Sequence, residues 1–149
     1  MEFSRSAKGI LMNQRKYALE IILDLGLRNA KPTWTPLEAN TKLTIQELDC
    51  PTGELDDEQF EDREQYQRLV GKMLYLTMTR TDIAYSVQTL SQFLHQPKRS
   101  QWEAAVRVMK YIKREPRLGI LLSSKRSYKL NVYCDADWAA CQIQGDQCQ

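Results

Sequence analysis

The chain has 149 residues, 42% of them hydrophobic, which supplies a core for one ordinary domain or two partial ones and excludes a wholly disordered chain. No apolar run approaches the ~18 residues of a membrane span, so no membrane partner is expected, and a single histidine, His95, excludes a His-rich metal site. The net charge of +2 divides unevenly: Glu47 to Glu64 holds nine acids and one base, whereas Lys98 to Lys129 holds ten bases and two acids.

Met1-Glu2-Phe3-Ser4-Arg5 carries no apolar signal core, and the four cysteines follow no bridge-like pattern. An intracellular protein, cytoplasmic or nuclear and not secreted, is the expectation. Gly9 to Asn13 predicts a short strand, paired with one beginning at Glu2 or Phe3 through a turn near Ser6 to Gly9. Gln14 to Leu25 predicts a helix, because Ala18, Ile21, Ile22 and Leu25 recur at i, i+3, i+4 and i+7, and Gly26 is placed to end it. Pro32 and Pro36 bracket Thr33-Trp34-Thr35 in an extended loop. Leu37 to Glu61 has no steady period and reads as a flexible acidic connector.

A helix follows a possible Asp62 cap, with Tyr66, Leu69, Val70, Met73 and Leu74 as its apolar stripe. Thr79-Arg80-Thr81-Asp82 has the form of a capping box opening a second helix, whose buried stripe is Ile83, Val87, Leu90 and Leu94. His95 is expected at that helix's C-terminal cap, just before Pro97. Ser100-Gln101-Trp102-Glu103 reads as a further capping box, with Ser100 at the cap of a third helix. Trp102, Ala105, Val106, Met109 and Ile112 form its apolar face, and Pro116 stops it. Two strands, Leu118 to Leu122 and Lys129 to Cys134, then form an expected hairpin running into Asp135-Ala136-Asp137-Trp138.

Two groups of residues carry possible chemistry. Asp135 and Asp137 at a strand end suit Mg2+, which takes oxygen ligands, and equally suit a strand-terminating turn. Arg107, Lys110 and Arg114, with Lys113 beside them, share a helix face that either tracks phosphates or is simply a solvated surface. The acidic connector is expected to fold back and compete for these bases. Trp34 and Trp138 suit either base stacking or loop anchoring. Cys134, Cys141 and Cys148 lie seven apart, which is not zinc-site spacing.

Several runs resemble copia-type retrotransposon Pol polyproteins. Gly9-Ile10 with Gln14, Lys16 and Tyr17 resembles their G-I-x-x-x-Q-x-K-Y, and Lys31 to Pro36 their K-P-x-x-T-P. Tyr66 to Leu76 is similar to Y-x-x-L-V-G-x-L-x-Y-L, and Thr79 to Tyr85 to T-R-P-D-I-x-(Y/F), with Thr81 in place of the proline. Ser91-Gln92-Phe93 with His95 and Pro97 resembles S-Q-F-x-H-x-P, Arg107 to Lys113 resembles R-(V/I)-L-R-Y-L-K, and Asp135 to Ala139 resembles D-(A/S)-D-W-A. The matches run in order over almost the whole chain.

The resemblance implies an α+β fold, with a central three-helix unit, a short N-terminal β-hairpin and a C-terminal β-hairpin that begins an RNase H-like sheet. It implies residues 1–36 as the end of the reverse transcriptase palm and thumb, 37–61 as the connector, 62–116 as a helical thumb and connection unit, and 117–149 as a truncated start of RNase H. Asp135, with Asp137 as second choice, would match the first metal-binding carboxylate of RNase H. The family's Tyr-Val-Asp-Asp polymerase motif would lie upstream of Met1, and the family pattern stops after Ala139. The expectation is therefore a Pol fragment, inactive by itself, that needs no cofactor where the parent enzyme uses Mg2+. Its expected partners are RNA–DNA hybrid or duplex, bound weakly and without base preference, and the remaining Pol segments. A stand-alone non-catalytic nucleic-acid-binding module and a non-functional relic are the alternatives.

Overall fold

In the computed structural model, residues 1–38 and 58–125 are described. Strand β1 (Glu2–Ser6) and strand β2 (Gly9–Asn13) form the expected antiparallel hairpin, with Phe3 opposite Met12 and Ser6 opposite Gly9. Helix α1 spans Arg15–Asp24 and a 3-10 turn spans Leu27–Asn29. Helix α2 spans Arg63–Leu76. A second 3-10 turn, Thr81–Ile83, leads into α3 at Ala84–Ser91, and α4 spans Arg99–Arg114. Strand β3 is Ile120–Ser123. The chain is α+β, as its sequence predicts.

The strand expected at Leu118 to Leu122 forms two residues later, at Ile120–Ser123, and it pairs antiparallel with β2, Ile10 opposite Leu122 and Met12 opposite Ile120. The helices are thus inserted between the second and third strands of one sheet of order β1-β2-β3. Two glycines permit this closure. Gly9 has φ 140°, and a Cβ there would lie 2.0 Å from the Leu122 carbonyl oxygen; a Cβ on Gly119 would lie 2.0 Å from that of Met12. The second strand of the expected C-terminal hairpin, 129–134, lies outside the described residues, as do Asp135, Asp137 and most of the 37–61 connector.

One apolar cluster joins the four helices. Helix α1 contributes Ala18, Ile21 and Ile22, and Gly26 ends its run in the left-handed conformation at φ 67°. Helix α2 contributes Tyr66, Leu69, Val70, Met73 and Leu76. Leu76 replaces the expected Leu74, which is exposed, because the buried arc runs through positions 66, 69, 73 and 76 and leaves 74 on its flank. Helix α3 contributes Val87 and Leu90, joined by Ile83 and Phe93; Leu94 is only partly buried. Helix α4 contributes Ala104, Ala105, Val108, Met109 and Ile112. The Tyr66 hydroxyl donates to the Leu90 carbonyl at 2.8 Å, so the one polar atom of this buried ring is satisfied, and burial pushes its pKa up.

Three expected helix ends are corrected. Asp62 does cap α2, its Oδ1 accepting from the Gln65 N–H at 2.8 Å. The Thr79 capping box does not form: the Thr79 hydroxyl donates to Gln14 Oε1 at 2.8 Å, and the chain enters α3 through a 3-10 turn. The third helix begins at Arg99, with Gln101 Oε1 accepting from the Lys98 N–H at 2.8 Å. That start is fixed from a distance. The Phe60 N–H donates to the Pro97 carbonyl at 2.8 Å and the Arg99 N–H to the Glu58 carbonyl at 2.9 Å, which holds Lys98 extended and ends the strand-like pairing there. His95 is not a cap, since α3 ends at Ser91; its carbonyl instead accepts from Arg63.

Candidate nucleic-acid interface

The expected basic face of α4 exists, and the loop after α1 lies across it. Apolar residues of α4 face the core, so helical spacing turns Arg107, Lys110, Lys113 and Arg114 away from it. The loop is tied down by Thr33, whose N–H donates to the Lys110 carbonyl at 3.4 Å and whose hydroxyl donates to the Arg107 carbonyl at 3.3 Å.

Each cation meets a different environment. Arg107 donates to Glu38 Oε1 at 2.7 Å and to the Thr35 hydroxyl at 3.2 Å, so the first acid of the expected connector does fold back onto this face. Lys113 Nζ donates to three carbonyls, Leu27 at 2.9 Å, Arg28 at 2.7 Å and Ala30 at 2.7 Å, and so closes the 3-10 turn. The Arg114 guanidinium carbon sits 3.6 Å from the centroid of the Trp34 ring. Two of the four predicted phosphate-binding residues, Arg107 and Lys113, are therefore hydrogen-bonded within the protein, while Arg114 is stacked on Trp34, and the sequence signal for this was the proline-bracketed Thr-Trp-Thr of the loop.

A second polar cluster lies beneath the C-terminal end of α4, and sequence reasoning missed it. Arg80, 4% exposed, donates through Nε and Nη2 to the two Asp82 carboxylate oxygens at 2.9 and 2.8 Å, and through Nη1 to the Glu115 carbonyl at 3.1 Å. Its guanidinium also lies 5.6 Å from the Tyr111 ring centroid. Burial alone would push the Asp82 carboxyl up, but the hydrogen bond and charge of Arg80, with the Tyr111 hydroxyl, hold it below the usual carboxylate range. Burial pushes the Tyr111 phenol up, and its bond to Asp82 adds to this. Arg80 thus ties Asp82 to the backbone at the end of α4, and the cluster braces the fold. The signal for it was the Thr-Arg-x-Asp run itself.

Asp135 and Asp137, the candidate metal ligands, lie outside the described residues. Among the described residues no group of three or more His, Cys, Asp or Glu is arranged to hold a metal, and no helix is long and apolar enough to cross a membrane.

Comparison with known proteins agrees with the motifs. The chain is 34% identical over 142 residues to the retrovirus-related Pol polyprotein from transposon RE2 of Arabidopsis thaliana. The chain is a homologue of part of the transposon Pol polyproteins. The RE2 alignment covers 93% of this chain and 9% of that polyprotein. A second Pol polyprotein, from transposon TNT 1-94 of Nicotiana tabacum, is 31% identical over 110 residues, 73% of this chain and 8% of its own length. An uncharacterised mitochondrial protein of Arabidopsis thaliana is 29% identical over 133 residues, 89% of this chain and 51% of its own length. No protein-family model matches the chain, and no solved structure matches it significantly.

Proposed function

We propose that this retrotransposon Pol segment joins the polymerase to the RNase H portion and, by itself, holds nucleic acid without copying or cutting it. The observation that carries the reading is the α4 face, where Arg107, Lys110, Lys113 and Arg114 gather in a chain whose relatives are Pol polyproteins. Inactivity follows from composition: the 149 residues contain no Tyr-Val-Asp-Asp, and two-metal chemistry needs more converging carboxylates than Asp135 and Asp137 supply. Because Arg107 and Lys113 are engaged with Glu38 and with carbonyls, this face offers phosphates Lys110, Arg114 and the exposed Arg117. Binding to RNA–DNA hybrid or duplex is therefore weak and without base preference, with a log–log salt slope of about −2 to −3.

The sheet supports a second partner, the remaining Pol segments. By register Phe3, Ile10, Met12, Ile120 and Leu122 share one face with Arg5, and Phe3 is 64% exposed and Leu122 51%. An apolar face of that kind is a surface for a neighbouring domain.

Titration of labelled RNA–DNA hybrid at low and moderate salt tests the binding. Lys110→Glu with Arg117→Glu should weaken it several-fold, and unchanged affinity would show the face to be only a solvated surface. In the same preparation no primer extension and no hybrid cleavage should appear with Mg2+ or Mn2+. Cleavage that Asp135→Asn abolishes would refute inactivity.

A further inference from the structure

Trp34 is the most conspicuous residue on the basic face. It is 76% exposed, although an indole in water is costly unless something covers it. The ring is nevertheless held in place. Pro32 and Pro36 fix the backbone on either side, Thr33 bonds to α4 through its N–H and its hydroxyl, and the Thr35 hydroxyl accepts from Arg107. One face of the indole lies against the Arg114 guanidinium at 3.6 Å. With three-quarters of the residue in solvent, the opposite face is open.

We propose that Trp34, backed by Arg114, is a stacking platform for an unpaired base of single-stranded nucleic acid. A flat π-face that is already oriented accepts a nucleobase at little entropic cost, and every base has a face to offer, so no sequence preference arises. The cation behind the ring, the exposed Lys31 three residues before Trp34 and the exposed Arg117 three residues after Arg114 supply charge for the flanking phosphates. A duplex cannot use the site, because its bases are stacked within the helix. The platform rests on the nucleic-acid reading above and adds to it a preference for unpaired strand. A protein segment covering the ring is the competing outcome.

The test compares wild type, Trp34→Ala and Trp34→Phe in titrations of fluorescently labelled oligo-dT and of a duplex of equal length, with circular dichroism confirming folding. Stacking on one aromatic residue predicts a loss of about 5- to 100-fold in oligo-dT affinity for Trp34→Ala, near-complete retention for Trp34→Phe, and duplex affinity unchanged in both. Oligo-dT binding indifferent to Trp34→Ala, with duplex binding intact, overturns the platform alone. Equal losses on both ligands would show that Trp34 only orders the loop and would also overturn it. Failure of wild type to bind either ligand overturns both the platform and the nucleic-acid reading, and leaves the ring as a contact for another polypeptide.

Discussion

Replacing Lys113 by alanine separates a structural role for this residue from a phosphate-binding one. Its ammonium donates to the carbonyls of Leu27, Arg28 and Ala30, all within 2.9 Å, and its three protons match three acceptors. The bonds to Leu27 and Ala30 are part-buried, and that to Arg28 is exposed. A hydrogen bond to a charged group contributes about 1.5–3 kcal/mol. At the low end the two part-buried bonds amount to about 3 kcal/mol, water recovers part of this at the freed carbonyls, and the exposed bond adds little. The expected cost of Lys113→Ala is therefore about 2 kcal/mol, a fall in Tm of roughly 4–8 °C for a chain of this size. Lys113→Arg should not restore the loss, because a planar guanidinium cannot present three donors to three converging carbonyls. Urea unfolding monitored by circular dichroism gives the measurement, with Lys110→Ala as the reference, since no described residue accepts a hydrogen bond from its side chain. If Lys113→Ala and Lys110→Ala agree within about 0.5 kcal/mol, the ammonium does not hold the loop and the assignment of Lys113 to the fold is refuted.

Asp82 should make stability depend on pH in acid. Its folded pKa lies below the ordinary 3.8, so its contribution is present above about that pH and is lost as pH falls through the lowered folded value. The urea midpoint of wild type should fall across that interval more steeply than that of Asp82→Asn, and parallel profiles would show that Arg80 does not stabilise the charge. At the Gln14–Thr79 contact, Thr79→Val removes the donor to Gln14 Oε1 while Gln14 Nε2 is already buried without an acceptor among the described residues. The single variant should lose about 1–3 kcal/mol and the double variant with Gln14→Leu less than that, as a double-mutant cycle in urea would register.

Much of the helical framework was legible because it is set locally. The 3.6-residue recurrence from Ala18 to Ile22, the Asp62 cap and the proline after Arg114 each act within a few residues of the backbone they shape. The β1–β2 hairpin was legible for the same reason. What escaped the sequence depends on residues far apart in the chain. The third helix starts at Arg99 because Glu58 and Phe60 pair with the backbone before it, and no window around Ser100 contains that information. The Ile120–Ser123 strand takes β2 as its neighbour across more than a hundred residues, made possible by close approach at Gly9 and Gly119. The sequence placed these bases on one face of α4 and expected acids to fold back on it, but its lysines and arginines gave no sign that Leu27 to Trp34 would bind Lys113 and Arg114.

The motifs that mark this chain as a Pol relative meet in space, and where they meet they do structural work. Gln14 belongs to the first motif and Thr79, Arg80 and Asp82 to the fourth, while Tyr111 comes from the helix motif; the Gln14–Thr79 bond adjoins the Arg80–Asp82–Tyr111 cluster. This polar seam fastens the end of β2 and the start of α1 to the turn after α2 and to the end of α4. Gln67 and Arg63, donating to the carbonyls of Leu94 and His95, fasten the Ser91 to Pro97 motif to α2 in the same manner. The side-chain groups that make these bonds are engaged with the fold itself. The resemblance therefore transmits the way these helices and strands are held together. The proposed capacity to meet nucleic acid rests instead on Trp34, at a variable position of its motif, and on the outward cations of α4. Substitutions in the seam should consequently shift unfolding midpoints with little effect on affinity per folded molecule, and substitutions at Trp34 and Lys110 should do the reverse.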